Sequence, residues 1–196
     1  MRKTLGLVAV LTMLAACGGE EDPPKKPVSL KDITGEQLCA MVPRSTVEKA
    51  FDEKIVESFG GPNEHMERDS MSCKYVTRAL MDADGMDEIA VALDIGTQVR
   101  RAEDKATTAE QALDEYMVDF DGETVAFTPV PGLGVVAGYA GPDLDVRNRG
   151  AHLVAIIESG DQFIEVITTS DPEGTQDQLE PIAKELVKGM ESALGG

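Results

Sequence analysis

Tryptophan is missing from this chain of 196 residues, and the other aromatics are few: five Phe and three Tyr. Sites that stack sugars, flat cofactors or nucleobases depend on aromatic faces, so the composition argues against them. Basic residues are scarce too, 18 against 36 acidic, for a formal charge of −18. Nucleic-acid phosphates call for clustered Lys and Arg, so no nucleic-acid partner is expected. Adsorption to anionic lipid by charge alone is disfavoured for the same reason. Only two His and three Cys are present, which leaves little for metal sites or nucleophilic catalysis. What remains is ample for a core: 42% of residues are hydrophobic. A chain of this length and composition folds, most simply as one ordinary domain.

The first residues read as an export signal. Arg2 and Lys3 form a positive start, and Leu5 to Leu14 form an apolar stretch too short to span a bilayer. The end of this segment, Leu14-Ala15-Ala16-Cys17, resembles the lipobox of bacterial lipoproteins. That resemblance implies that residues 1–16 are a signal peptide, that the Cys17 thiol receives a diacylglyceryl group, and that cleavage makes Cys17 the first residue. Two or more acyl chains anchor stably where one does not, at about 0.8 kcal/mol per buried methylene. The expected location is therefore the outer face of the cytoplasmic membrane. Losing Arg2 and Lys3 makes the mature chain more acidic still. Residues 17–28, with Gly, Pro and charge in GGEEDPPKKP, read as a flexible linker. Residues 29–196 read as a single globular extracytoplasmic domain.

With Cys17 given to lipid, Cys39 and Cys73 are left. An even pair outside the membrane is expected to oxidise. The bridge closes a loop of roughly 35 residues, worth roughly 4 kcal/mol on the chain-entropy model. A metal pair or a redox pair are the alternatives, though only His65 and His152 could assist a metal and no Cys-x-x-Cys is present.

Periodicity supplies the coarse structure. Helical pieces are expected within Gly35 to Phe51, broken at Pro43. Strands are expected over Met71–Ala79 and Glu88–Gly96, joined as a hairpin through a turn at Asp82-Ala83-Asp84-Gly85. A helix from Ala106 to Phe120 follows. Short strands come next, at Thr124–Val130, Val135–Tyr139, His152–Glu158 and Gln162–Thr168. The chain closes with a helix from Thr175 to Leu194 carrying an apolar stripe. The expectation is an α+β fold: a curved antiparallel sheet of about five or six strands, packed with about three helices and one disulfide.

Several short motifs occur together. Cys39 in an opening helix precedes Pro43-Arg44-Ser45-Thr46-Val47, Cys73 opens a strand with Tyr75 two residues on, and Val130-Pro131-Gly132-Leu133-Gly134 precedes a hairpin. With the closing helix, they resemble an actinobacterial lipoprotein family, the domain of unknown function 3558 family. The resemblance implies a lipid-anchored extracytoplasmic domain whose two cysteines pair. It brings no activity with it.

Motifs for chemistry are sparse. Neither His65 nor His152 falls in a nucleophile–base pattern. The acidic run Asp82 to Glu88 has its Gly too early for a calcium loop and reads as a solvated turn; Asp119-Phe120-Asp121-Gly122 reads as a corner. Gly132 and Gly134 are expected to form a tight bend, with a ligand-contacting loop as the alternative. Arg147 and Arg149 form a small positive island, expected as a solvated turn, with an anion-contacting loop as the alternative. No catalytic residue, metal or cofactor is assigned. The expected function is a non-enzymatic module binding an envelope protein or ligand, with a carrier of lipid or a small hydrophobic molecule as the alternative.

The lipobox generates a direct expectation. Cys17→Ser releases the protein from the membrane or leaves it uncleaved, read by detergent extraction and the mass of the mature chain. A processed mutant still extracted with the membrane would refute lipidation.

Overall fold

A computed structural model describes residues 29–62, 69–77, 93–117, 125–142, 150–171 and 173–195. Four α-helices and seven strands are found among them. The helices are α1 (Gly35–Met41), α2 (Arg44–Phe51), α3 (Ala109–Tyr116) and α4 (Gln176–Gly195). The strands are β1 (Ile55–Pro62), β2 (Ser70–Thr77), β3 (Asp94–Arg101), β4 (Thr128–Pro129), β5 (Val136–Ala140), β6 (Ala151–Ser159) and β7 (Gln162–Asp171). They make one open sheet in the order β1-β2-β3-β7-β6-β5-β4, every neighbour antiparallel.

The α+β class and the disulfide are as expected; the counts need correction. The sheet has seven strands, not five or six, and the helices number four rather than three. The additional strand is β1, whose sequence IVESFGGP shows no alternation because it is an edge strand with Ile55 its one buried residue. Its glycines answer to packing. A Cβ on Gly35 would stand 2.0 Å from the Gly60 carbonyl carbon, so α1 can rest on β1 only where both residues lack a side chain.

β3 runs past Gly96 to Arg101, and residues 88–92 of the expected strand lie outside the described residues. Ile95, Thr97 and Val99 are its inward residues, and the polar Gln98 and Arg100 face the other side. α3 starts at Ala109, not Ala106, because Thr108 caps it by accepting from Gln111 N at 3.2 Å. β4 is only two residues long, and Pro129 limits its pairing. The expected turn at Asp82–Gly85, the corner at Asp119–Gly122, and His65 lie outside the described residues.

Two apolar layers cover the sheet. On one face α1, α2 and α4 pack over Cys73, Tyr75, Ile95, Val99, Leu153, Ala155, Ile157, Ile164 and Val166. α4 buries Leu179, Ile182, Ala183, Leu186, Val187, Met190 and Leu194, the stripe expected from its sequence. Full burial of each larger side chain contributes roughly 1.5–3 kcal/mol before entropy is counted. On the other face α3 lays Ala109, Ala112, Leu113 and Tyr116 over Val154, Ile156 and Ile167.

Cys39 of α1 and Cys73 of β2 are bonded, with Cα atoms 5.3 Å apart. The bridge ties the short α1, seven residues long, to the sheet. Thr34 caps that helix by accepting from Gln37 N, while Gln37 Oε1 accepts from Thr34 N. Between α2 and β1, Glu48 accepts from Lys54 Nζ and Ile55 N, both at 3.2 Å. These bonds hold its carboxyl below the usual carboxylate range.

Two residues past Cys73 on the same face, Tyr75 is fully buried. Neither its hydroxyl nor that of Thr97 makes a hydrogen bond of ordinary geometry. Loss of water pushes the phenol from its usual 10.0 up to about 12, a rise that the Thr97 hydroxyl offsets only in part. The unfolded chain ionises Tyr75 first, so its stabilising effect is complete below pH 10 and drains away toward pH 12. That interval is worth about 2–3 kcal/mol. Tyr75→Phe should flatten the stability loss over this alkaline range in urea titrations. An unchanged slope would refute the burial effect.

Candidate functional site

Two places concentrate polar chemistry, one open and one closed. The open one is a cleft of about 580 Å³ between α2 and α4, lined by Ser45, Thr46, Lys49, Ala50, Asp177, Gln178 and Pro181. Local sequence explains both walls. Pro43 ends α1 and restarts the chain as α2, so Ser45 and Thr46 fall in the first turn, and Lys49 in the last, of a helix whose Pro43 cap offers no side-chain acceptor. On the facing wall, Gln178 Oε1 accepts from Thr175 N at 2.9 Å and from Thr175 Oγ1 at 3.2 Å. This cap fixes the first turn of α4, where Asp177 and Pro181 share a face at i and i+4. The lining thus offers two hydroxyls, an ammonium, a carboxylate, an amide and two small apolar surfaces.

The closed site lies beneath α3. Arg100 of β3 and Glu165 of β7 sit directly opposite each other in the sheet register and form an ion pair. Glu165 is 1% exposed and the Arg100 side chain 16%. The guanidinium stacks 4.8 Å from the Tyr116 ring centroid. The Tyr116 hydroxyl and His152 Nδ1 share a hydrogen bond of 2.9 Å. Carboxylate, guanidinium, phenol and imidazole therefore run in a chain through the interior. His152 is 2% exposed, and none of the four lines a described cavity. The cluster is a brace that holds α3 on the sheet through buried, mutually satisfied polar groups.

Arg101, the next residue, borders three smaller hollows of about 180, 250 and 160 Å³. Its guanidinium pairs with Asp104 at 3.2 Å, and Lys31 beside it pairs with Asp69 at 3.5 Å. Those cations are occupied.

The residues singled out from sequence fall elsewhere. Gly132 and Gly134 form the bend between β4 and β5, with φ of 75° and 59°. A Cβ on Gly134 would stand 2.4 Å from the Ile156 carbonyl oxygen, so the loop is tucked against β6, with Leu133 buried in the core. Neither glycine lines the cleft. Cys17, Arg147 and Arg149 lie outside the described residues. The cleft itself went unnoticed in the sequence; its one signal was Pro181 inside an otherwise regular amphipathic helix.

Among the described residues, no group of three His, Cys, Asp or Glu could hold a metal. No described helix is long and apolar enough to cross a membrane. No protein-family model, curated protein or solved structure matches this chain.

The buried pair makes a sharp stability prediction. Arg100→Met strands the Glu165 charge away from its counterion and costs about 3–5 kcal/mol, whereas adding Glu165→Leu restores most of the loss. Chemical denaturation of the single and double mutants checks this. Equal losses in both would refute the ion pair as the brace.

Proposed function

We infer that this protein is a lipid-anchored, extracytoplasmic binding module, a non-enzymatic component of the cell envelope. In this reading Cys17 carries the lipid, residues 17–28 are the linker, and residues 29–196 are one domain at the outer face of the cytoplasmic membrane. The observation that carries the binding function is the α2–α4 cleft. Its volume of about 580 Å³ lies in the range of small-ligand sites. Donors and acceptors occupy both walls, which suits a polar ligand or a short stretch of an envelope protein. The alternative reading is a carrier of lipid or a small hydrophobic molecule. The likeness to the domain of unknown function 3558 family, carried by short motifs alone, supports the location and leaves the ligand open.

Ser45 is exposed at the cleft wall, so Ser45→Trp fills the cleft without disturbing the core. Proximity labelling from the full-length, tethered protein should lose a defined set of neighbours in this variant, with circular dichroism unchanged. An identical labelled set in both proteins would overturn the cleft as the binding site. Lipid found by native mass spectrometry on protein purified in detergent from its own envelope would bring the carrier forward instead.

A further inference from the structure

We propose that the α2–α4 cleft binds a small zwitterion of the amino-acid or short-peptide type, its carboxylate at Lys49 and its ammonium at Asp177. The proposal rests on the cleft being the binding site and adds the class of ligand. It starts from a charge anomaly. Acidic residues outnumber basic ones two to one, 36 to 18, so a cation without an anionic neighbour is unusual here. Among the described residues, every Lys and Arg except Arg44, Lys49 and Lys188 takes part in an ion pair, and Arg44 donates to the Ser58 hydroxyl. Of those three, only Lys49 lines the cleft.

Asp177 lines the same cleft from the other helix and makes no ion pair among the described residues. The two charges therefore face one space, opposite in sign and unused by each other. Each end has supporting groups. Ser45 and Thr46 place hydroxyl donors beside Lys49, four and three residues before it on the helix. At the other end Pro181 has no N–H, so it cannot donate the helical bond that residue 181 would give the Asp177 carbonyl. Ala50 and Pro181 supply apolar surface for what lies between the ligand's ends.

Both charged side chains are exposed, so water screens them and each contact is weak. Specificity should come from using both ends together. The zwitterion also suits the electrostatics of the whole chain, because a ligand of zero net charge is not repelled by the acidic surface as a simple anion is.

The test uses the full-length lipoprotein in detergent micelles, titrated with trialanine carrying free termini, its N-acetylated form and its C-amidated form. In the unmodified protein each cap should weaken binding about fivefold. In Lys49→Gln, C-amidation should have no further effect while N-acetylation keeps its effect. In Asp177→Asn the pattern should reverse. No binding of free trialanine, or cap effects unchanged by the two substitutions, overturns the zwitterion. If that happens while Ser45→Trp still alters the labelled neighbours, the cleft stands and only the ligand class falls. If Ser45→Trp also changes nothing, both fall.

Discussion

The two central strands are buried on both faces, and the other elements are placed by the need to cover them. Ala151 to Ile157 of β6 and Ile164 to Thr168 of β7 are buried without a break. A sheet covered on one side alternates inside and outside; one covered on both sides requires an element over each face. α4 supplies one cover, with its full apolar stripe, and α3 supplies the other. The second cover brings the only deeply buried charge among the described ion pairs, Glu165. A carboxylate at a central position is tolerable because Arg100 faces it in the adjacent strand and Tyr116 closes over the guanidinium. Polar and apolar packing on that face are one arrangement.

The other half of the sheet is held by different means. β1 and β2 receive α1, which is too short to be stable by itself. Its capping box, the Gly35–Gly60 contact and the Cys39–Cys73 bond fix it from three directions. α2 follows directly after Pro43 and lies beside the N-terminal half of α4. The cleft is a consequence: two helices whose buried residues, Val47 on one and Leu179 and Ile182 on the other, reach the same core while the surfaces above them leave an opening. The fold creates this opening from packing demands, and the surface residues then give it chemical character.

What could be read from sequence follows how local the determining physics is. The α4 stripe was legible because 3.6-residue periodicity and burial on one face are the same fact. The cysteine pair was legible because few cysteines remain to choose between. β1 was not, since an edge strand with one buried residue carries no alternation, and its glycines, read locally, signal a turn. The second half of β3 was hidden because Arg100 looks solvent-facing until Glu165, 65 residues away, supplies its counterion. His152 looked like an isolated imidazole at the start of a strand for the same reason: Tyr116 lies 36 residues earlier. The cleft has no local signature, because Lys49 and Asp177 belong to different ends of the chain and only the packing of α2 on α4 brings them to one space.

The acidic surplus gains a more specific meaning from this placement. Most of the described basic side chains are neutralised by carboxylates at the surface, where each such pair contributes about 0–1 kcal/mol. Their main consequence is therefore electrostatic: the carboxylates in excess of them give the chain a net negative charge that repels anionic surfaces. Against that excess, an unpaired Lys is a local reversal of field, and a concave surface lets one ligand meet it together with a facing charge. Lys49 sits in such a place, and Lys188, on the open side of α4, does not. Chain-wide repulsion and one cationic point within a cleft favour a ligand that brings its own positive charge along with its carboxylate. Recognition by this arrangement is governed by charge separation within the ligand, because net charge alone is opposed by the rest of the molecule.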